Sequence, residues 1–339
     1  MTTISDVAKR AGVSIATVSY VLNGRTNLVR EETAEKIRRA AEELNYQASP
    51  VARGLATGSS YTVAVVLPHH FVFSHPIGSQ EFLGAAEEFY LSDYSMLIKP
   101  SYEDERKMKR PHSGLPAHVA GVLALGPMSL DNPDLAEARA LGKPMVAVED
   151  VPEEWGITCV NVDNYRAAQM VTSDLIGRGH TRIGVLAQTR VSACMFRRIQ
   201  GYNDALAHNG LAADPALLVD LETQDDSEVA RATEDLLDSK PAPSALIALN
   251  SAFMPGVTRA IDSRGLMVPE RFGVGCVDYG MPPSFQVRWP VVTLRTDLRR
   301  QGELAARTLV EMLRAKSPVE SRYIEPELIV IEPEDRKAG

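Results

Sequence analysis

Apolar positions follow one spacing up to Leu44 and another after Tyr61. In the first stretch they recur three and four residues apart, which predicts three helices. The first runs from about Ile4 to Ala11, the second begins after Ser14, and the third runs from about Glu31 to Leu44. Gly12 permits a tight turn between the first two helices, and Ser14 suits an N-cap. The stretch therefore predicts a small three-helix domain.

The second helix has two different faces. Val18, Val21 and Leu22 recur at helical spacing and are predicted to face a core. The remaining face, predicted to point outward, is formed by Ile15, Ala16, Ser19 and Tyr20. Two short helices joined at a glycine, the second rich in Ser and Thr, indicate a helix-turn-helix, in which the second helix enters the major groove of DNA.

After Tyr61, apolar runs of strand length alternate with amphipathic segments. The predicted strands are Thr62–Leu67, Met96–Ile98, Val119–Leu125, Pro144–Val148, Ile157–Val162, Arg182–Ala187, Ala245–Leu249, Phe272–Val277 and Leu328–Ile331. The predicted helices are Gln80–Tyr90, Tyr165–Arg178, Arg198–Asn209, Ser227–Asp238, Pro255–Arg264 and Leu298–Lys316. Such alternation predicts parallel sheets covered by helices, and its length suggests two such subdomains.

The change of pattern predicts three parts. A helix-turn-helix DNA-binding domain spans 1–47, a hinge linker spans 48–60, and an α/β body spans 61–339. Within the body we expect one doubly wound subdomain at about 61–160 and 291–320. The other is expected at about 161–290 and 321–339.

The distribution of charge supports contact with nucleic acid by the first part alone. The net charge of the chain is −8. Residues 1–60 hold eight Lys/Arg and six Asp/Glu, a balance of +2, while the rest holds 28 and 38, a balance of −10. This asymmetry favours DNA binding by the head, although the excess is small.

Other classes of protein find little support in the composition. No apolar run is long enough to span a bilayer, and the chain opens directly on a charged amphipathic helix rather than on a signal peptide. We therefore expect a cytoplasmic, nucleoid-associated protein. The three cysteines, Cys159, Cys194 and Cys276, are widely separated and are predicted to be reduced core residues. Catalytic motifs and phosphate-binding loops are absent, so neither an enzyme nor a cofactor is expected.

The head and hinge resemble those of LacI/GalR-family transcriptional regulators. The residues that carry the resemblance are Thr3-Ile4-Ser5-Asp6-Val7-Ala8, Ala11-Gly12-Val13-Ser14, Thr17-Val18-Ser19, Val21-Leu22-Asn23-Gly24, Glu32-Thr33, Leu44-Asn45-Tyr46 and Ala52-Arg53-Gly54-Leu55. Weaker matches continue through the body, including Gly179-His180-Thr181-Arg182-Ile183 and Pro290-Val291-Val292-Thr293. The resemblance implies a helix-turn-helix head on a body similar to periplasmic binding proteins.

The resemblance also implies roles at DNA. The base-reading positions are Ile15, Ala16 and Tyr20; the phosphate-binding positions are Thr3, Ser14, Thr17, Ser19 and Asn23. The polar members of this set could instead only cap and solvate their helix. Tyr20 stands where the family often has Arg, so it cannot read guanine as an arginine does. In the hinge, Leu55 is implied to wedge the minor groove beside Arg53, the alternative being that Leu55 packs on the body.

For the body, the resemblance implies an effector site between the two subdomains. Its implied members are Arg198, Asp278, Asn250 and Glu149, each of which could instead do interdomain or surface polar work. Phe73 or Phe82 is expected to stack on a ring of the effector. The loop from His69 to Pro76 replaces the usual family motif. It is expected to line the cleft rather than to bind a metal, because no acidic or Cys ligand accompanies its histidines at metal spacing. A distorted stretch is expected from Tyr102 to Pro116.

These expectations describe a DNA-binding transcriptional regulator. We expect a homodimer on a pseudo-palindromic operator, most simply a repressor controlled by a sugar or related metabolite. An effector-responsive activator and a co-repressor-dependent regulator remain alternatives. A solute-binding protein or a sugar-modifying enzyme on the same fold is disfavoured by the head and by the missing catalytic groups.

Overall fold

A computed structural model describes residues 2–22, 28–46, 60–68, 76–101, 114–126, 132–151, 155–189, 193–279 and 288–333 of the 339-residue chain. The chain divides into two compact units, Met1–Tyr61 and Thr62–Gly339. The predicted hinge up to position 59, the loop His69–Pro76 up to position 75, and most of the predicted distorted stretch (102–113) lie outside the described residues.

The first unit contains the three predicted helices, α1 (Ile4–Ala11), α2 (Ile15–Leu22) and α3 (Glu31–Glu43). The turn at Gly12 is left-handed, with φ 70°, which explains the glycine there. A core closes between the three helices; its buried members are Val7, Ala8, Val18, Val21, Ala34, Ile37, Ala40 and Ala41. The predicted faces of α2 are therefore confirmed for Val18 and Val21.

The second unit is an α/β body. Its strands are β1 (Thr62–Pro68), β2 (Ser95–Ser101), β3 (Val122–Leu125), β4 (Met145–Val148), β5 (Thr158–Val162), β6 (Ile183–Ala187), β7 (Leu218–Asp220), β8 (Ala245–Ala248), β9 (Gly273–Cys276), β10 (Val291–Arg295), β11 (Arg322–Ile324) and β12 (Glu327–Ile331). Its helices are α4 (Pro76–Leu91), α5 (Pro133–Ala140), α6 (Asn164–Gly177), α7 (Cys194–His208), α8 (Asp226–Leu237), α9 (Met254–Ser263) and α10 (Leu298–Ala315).

The strands form two six-stranded sheets. The first has the order β11-β5-β4-β3-β1-β2 and the second the order β12-β10-β9-β8-β6-β7. The neighbouring strands run parallel except for β10 and β12, which pair antiparallel with Thr293 opposite Ile329. The predicted pair of doubly wound subdomains is thus confirmed, with one edge strand, β12, whose antiparallel direction the sequence did not predict.

Two of the predicted crossing points between the subdomains are wrong. Residues from 291 were assigned to the first subdomain, but β10 lies inside the second sheet. Residues from 321 were assigned to the second, but β11 pairs with β5 in the first sheet, with Tyr323 opposite Asn161. Helix α10 does belong to the first subdomain, where Leu309 and Val310 pack against the strand core. Where the chain passes from one subdomain to the other, the short strands before and after the crossing have the same kind of apolar sequence. The apolar pattern therefore cannot show to which of the two sheets a strand belongs.

Four elements of the body were not predicted: α5, β7, β10 and β11. Strand β7 has only three residues, and none of them is fully buried. Strand β11 includes Arg322 and the exposed Tyr323. Strands β7 and β11 lack a continuous apolar run, so periodicity does not reveal them. Strand β10 is a run of four buried residues from Val291 to Leu294 that the prediction overlooked.

All three cysteines are buried and outside any disulfide, as predicted. Within the described part of the chain, no helix is long and apolar enough to cross a bilayer. Those same residues also contain no cluster of three or more His, Cys, Asp and Glu side chains that could hold a metal ion. The histidines of the His69–Pro76 loop lie outside the described residues.

Candidate functional site

The outward face of α2 presents apolar side chains to solvent. Ile15 is 49% exposed and Tyr20 39% exposed, and Ala16 between them is exposed as well. Val18 on the opposite face is fully buried. A helix that buries one side in the head and leaves Ile15, Ala16 and Tyr20 outside has the geometry of a recognition helix. The three predicted base-reading residues therefore share one accessible surface.

Hydroxyl groups cap the starts of α1 and α2. Ser14 Oγ accepts a hydrogen bond from the Thr17 backbone N–H at 3.1 Å and lies 2.8 Å from Thr17 Oγ1. Thr3 forms a capping box with Asp6, in which Thr3 Oγ1 donates to Asp6 Oδ2 at 2.7 Å. These hydrogen bonds lower the pKa of Asp6. Capping and phosphate binding are compatible, because a hydroxyl has two acceptor lone pairs and one donor.

Of the other residues predicted to contact DNA, the structure describes only Ser19. Ser19 is half-buried on α2. Asn23, Arg53 and Leu55 lie outside the described residues. At the start of α3, Arg30 occupies the N-cap and makes no side-chain cap hydrogen bond. Acidic residues in the first turn of α3 favour its start through the helix dipole.

The predicted effector residues of the body converge on the carboxyl ends of the strands. Glu149 directly follows β4, Asn250 follows β8 and Asp278 follows β9. In parallel α/β sheets, ligands bind at this edge. Glu149 belongs to the first sheet and Asp278 to the second, so the strand ends of both subdomains contribute to this region.

Arg198 lies in α7 and is almost fully buried. Its Nε donates to Asn164 Oδ1 at 2.8 Å, and its Nη1 donates to the carbonyl oxygens of Leu249 at 2.6 Å and Val277 at 2.8 Å. The guanidinium also lies 5.7 Å from the centre of the Tyr279 ring. Arg198 thus ties the ends of two strands of the second sheet to α6.

Asp278 is oriented by backbone donors. Its Oδ2 accepts from the Ser251 N–H at 2.9 Å, and its Oδ1 accepts from the Tyr279 N–H at 2.8 Å. Asn250 has a local role, because its Oδ1 accepts from the Ala252 N–H at 2.8 Å and caps a short 3-10 turn. These hydrogen bonds fix the position of the Asp278 carboxylate at the end of β9.

The two aromatic candidates differ. Phe82, in α4, is half-buried and packs against the core of the first subdomain. This packing gives no support to a stacking contact with an effector. Phe73 lies outside the described residues.

Sequence reasoning missed Glu81, the residue before Phe82. Its side chain is 4% exposed, and its Oε2 has no hydrogen-bond partner in the described structure. Burial raises the pKa of Glu81 well above its ordinary value, and the carboxylates of Glu149 and Asp278 raise it further. One signal was present in the sequence: Glu81 lies four positions before Ala85 and eight before Phe89, which form the buried face of α4.

Asp150 and Asn164 add a further polar pair at the same edge. Asn164 Nδ2 donates to Asp150 Oδ2 at 3.1 Å. Burial raises the pKa of Asp150, while hydrogen bonds from Asn164 and Asn161 oppose that rise. The strand ends therefore hold several carboxylates together with the single buried guanidinium of Arg198 described above.

Comparison with known proteins identifies the family. Residues 3–49 match the model of bacterial regulatory proteins of the lacI family, and residues 172–331 match that of a periplasmic binding protein-like domain. The chain is 30% identical to the HTH-type transcriptional regulator GalR of Escherichia coli strain K12 over 302 residues, which is 87% of each chain. The chain belongs to the LacI family.

Two further likenesses cover nearly the whole of this LacI-family chain. It is 28% identical over 336 residues to the HTH-type transcriptional repressor PurR of Photobacterium profundum, covering 97% of this chain and 98% of that one. The structure of a transcriptional regulator CelR-cellobiose complex superposes with a TM-score of 0.68 at 26% identity, over 98% of this chain and all of the other.

The fold agrees with a solved family member on DNA. A lac repressor dimer bound to operator and an anti-inducer superposes with a TM-score of 0.72 at 22% identity, covering 97% of both chains. The LacI-family protein described here is a DNA-binding transcriptional regulator with a helix-turn-helix head and a two-subdomain body. The expectation taken from its sequence motifs is confirmed.

Proposed function

We propose that this LacI-family protein represses transcription as a homodimer on a pseudo-palindromic operator, under the control of a small-molecule effector. The observation that carries the DNA half of this proposal is the exposed Ile15–Tyr20 face of α2. Ile15 and Ala16 would contact thymine methyl groups, and Tyr20 would pack on base edges. Two-fold symmetry of the operator would mirror that of the dimer.

The phosphate contacts follow from the starts of the head helices. Thr3, Ser14 and Thr17 carry hydroxyl groups at or near these starts, where phosphates bind favourably, and Ser19 carries one further along α2. We propose that Asn23 extends this set. In the hinge we propose that Leu55 of each protomer wedges a central base step in the minor groove, with Arg53 contacting the groove or the adjacent phosphate.

The first subdomain offers a surface for the second copy. Large apolar side chains are exposed on α4 and on the edge strand β2: Leu83, Tyr90, Leu91 and Ile98. A row of such residues on one face marks a protein interface. The lac repressor that superposes on this chain is a dimer on its operator, which supports a second copy as the occupant.

The effector would bind between the subdomains, at the strand ends followed by Asp278, Asn250 and Glu149 and beside Arg198 of α7. The superposed CelR structure is a complex with cellobiose, which supports a small polar ligand in this fold. Effector and operator would be linked by one reciprocal coupling free energy, typically about 1–3 kcal/mol. The coupling can have either sign, so the effector could weaken operator binding as an inducer or strengthen it as a co-repressor. We infer that the protein regulates rather than catalyses, and that it acts on nucleoid DNA in the cytoplasm.

The test is binding of the full chain to genomic DNA fragments, followed by fluorescence anisotropy across a salt series. We expect selective binding whose logarithm falls linearly with the logarithm of salt concentration. Tyr20→Ala should weaken binding to the selected fragment by about 5- to 150-fold, corresponding to about 1–3 kcal/mol. The control is Leu141→Ala, an exposed position of the body. Absence of selective binding to any fragment would refute the proposed function.

A further inference from the structure

Asn164 lies where the chain passes from the first subdomain to the second. Strand β5 of the first sheet ends at Val162, and α6 begins at Asn164 and packs on the core of the second subdomain. Between them, the Asp163 N–H donates to the Ile324 carbonyl oxygen of β11 at 3.1 Å, which fixes the backbone of the crossing. Asn164 itself is only 3% exposed, so its amide needs hydrogen-bond partners within the protein.

The Asn164 amide has partners in both subdomains. Its Oδ1 accepts from Arg198 Nε at 2.8 Å and from the Tyr279 hydroxyl at 3.2 Å, and both residues belong to the second subdomain. Its Nδ2 donates to Asp150 Oδ2 at 3.1 Å in the first subdomain. A reversed amide would set its NH2 group against two donors and its oxygen against a carboxylate, so the partners fix the orientation.

Arg198 connects Asn164 to the strand ends of the second sheet. Its Nη1 donates to the carbonyl oxygens of Leu249 and Val277, which directly follow β8 and β9. Asp150 lies two positions after the end of β4 in the first sheet. A continuous series of hydrogen bonds therefore runs from the ends of β8 and β9 through Arg198 and Asn164 to the end of β4.

We propose that the hydrogen bond between Asn164 and Asp150 holds the two subdomains in one of two arrangements, and that Asn164 transmits the effector's action on Arg198 to the first subdomain. This inference rests on the proposed function, because it assigns the regulation of that site to a positioning residue. The first subdomain receives the chain from the head, since β1 begins at Thr62. An effector that takes over hydrogen bonds of Arg198 would change the Asn164 contact and shift the populations of the two arrangements.

The experiment exchanges donor and acceptor between positions 164 and 150. Asn164→Asp keeps an acceptor for the second subdomain but turns a second carboxylate oxygen towards Asp150, and like charges at that distance repel. Asp150→Asn alone keeps an acceptor, because its amide can turn its oxygen towards Asn164 Nδ2. In the double variant the new amide donates to the new carboxylate, which restores the hydrogen bond with the roles reversed.

Operator affinity of the four full-length proteins is measured by fluorescence anisotropy on the fragment that wild type selects, at about pH 8, where two carboxyl groups share a proton less readily. We expect Asn164→Asp to change the operator affinity by at least about tenfold, while Asp150→Asn and the double variant stay within about threefold of wild type. A fall in affinity means that the arrangement held by the hydrogen bond binds operator; a rise means that the other arrangement does.

The control is Gln169→Glu, which adds the same charge to α6 at a side chain that accepts a hydrogen bond from Arg166. It should leave the operator affinity within about twofold of wild type, because salt screens an exposed charge. Urea denaturation of the same proteins then separates coupling from stability. We expect Asn164→Asp to be less stable than wild type and the double variant to recover the loss.

Three outcomes would overturn the inference: recovered stability with equal operator affinity in all four proteins, a change of affinity that the double variant keeps, or a double variant no more stable than Asn164→Asp. Should Asn164→Asp fail to fold, Asp150→Ala removes the acceptor instead, and unchanged operator affinity in that variant would be equally decisive. Selective DNA binding by wild type with unchanged affinity in the variants refutes the role of Asn164 alone. Absence of selective DNA binding by wild type refutes the proposed function, and the role of Asn164 falls with it.

Discussion

Gly302 of α10 and Glu81 of α4 lie backbone against backbone. A Cβ built at Gly302 would overlap the carbonyl group of Glu81, and one built at Gly84 would overlap the carbonyl group of Arg299. The two helices therefore approach each other through a reciprocal pair of glycines. This close packing fixes the backbone of α4 at the buried Glu81, one residue before Phe82 packs on the core.

We predict that Gly302→Ala destabilises the body by about 1–3 kcal/mol, because the new methyl group meets backbone that cannot rotate away. Chemical denaturation of the full chain would measure the loss. Gly177→Ala is the matched control, since a Cβ there meets nothing within 4 Å on an exposed helical turn. That variant should be neutral or stabilised by up to about 1 kcal/mol. Equal stability of the two variants would contradict the close contact.

Local periodicity predicted the elements whose two faces differ most. The faces of α2 followed from Val18 and Val21 at helical spacing, and the inner strands followed from apolar runs. The same periodicity did not predict which sheet a strand joins. The sheets of β10 and β11 are determined by pairing with strands distant in sequence, as when Arg322 pairs with Val160. Such long-range pairing leaves no mark on a window of a few residues.

The cleft was predicted only where family motifs marked it. Arg198 and Asp278 were singled out through the family resemblance; the Arg198 guanidinium reaches the carbonyl groups of Leu249 and Val277, and Asp278 follows the end of β9. Glu81 was overlooked because a glutamate on an amphipathic helix usually faces water. Phe82 attracted the prediction instead, although its ring packs on the core. The rotation of α4 about its axis determines the direction of the neighbouring side chains Glu81 and Phe82. The backbone contacts at Gly84 and Gly302 set that rotation, and they are visible only in the folded structure.

Glu81 should make the stability of the body depend on pH. Burial, together with the Glu149 and Asp278 carboxylates, raises the pKa of Glu81 above its ordinary value of 4.5. The folded state then binds the proton more tightly than the unfolded state, so the stability present at low pH is lost as pH rises from about 4.5 through the folded pKa. Glu81→Gln cannot titrate. We predict that its free energy of unfolding exceeds that of wild type by about 1 kcal/mol or more above neutral pH.

The measurement is urea denaturation of both proteins at several pH values. The difference between variant and wild type should shrink towards about pH 4, because the other titrating groups contribute equally to both. A difference independent of pH would show that Glu81 does not titrate abnormally. Glu87→Gln, on the exposed face of the same helix, should give a curve parallel to wild type.

Ser14 allows capping and phosphate binding to be separated. Asp caps a helix as well as Ser does, and its charge suits the helix N-terminus. We therefore predict that Ser14→Asp preserves the hydrogen-exchange protection of α2 but weakens operator binding by about tenfold, because its carboxylate repels a phosphate. Ser14→Ala should lose about 1 kcal/mol of local stability. Unchanged operator affinity in Ser14→Asp would place the phosphate elsewhere.

The apolar surface of α4 should control dimer formation. Tyr90 and Leu91 are 81% and 77% exposed in the single chain. We predict that Leu91→Arg weakens the dimer by at least about tenfold, since a charge would be buried without a partner. Sedimentation equilibrium would measure it, with Leu141→Arg as the matched substitution at another exposed leucine. Equal dimer affinity in both variants would remove α4 from the interface.

Tyr20 should set which half-site the regulator prefers. Its side chain lies exposed on α2 beside Ile15 and Ala16, and a tyrosine cannot donate the two hydrogen bonds by which arginine reads guanine. We predict that Tyr20→Arg shifts the selected half-site towards guanine at one position, with discrimination of about 1–3 kcal/mol. Selection from a randomised operator library by both proteins provides the measurement, and Tyr20→Phe, which keeps the ring, should retain the wild-type preference. If Tyr20→Arg selects the same half-site as wild type, the exposed face of α2 does not read that base pair, and Ser14 and Thr17 would be left positioning a helix whose specificity arises elsewhere.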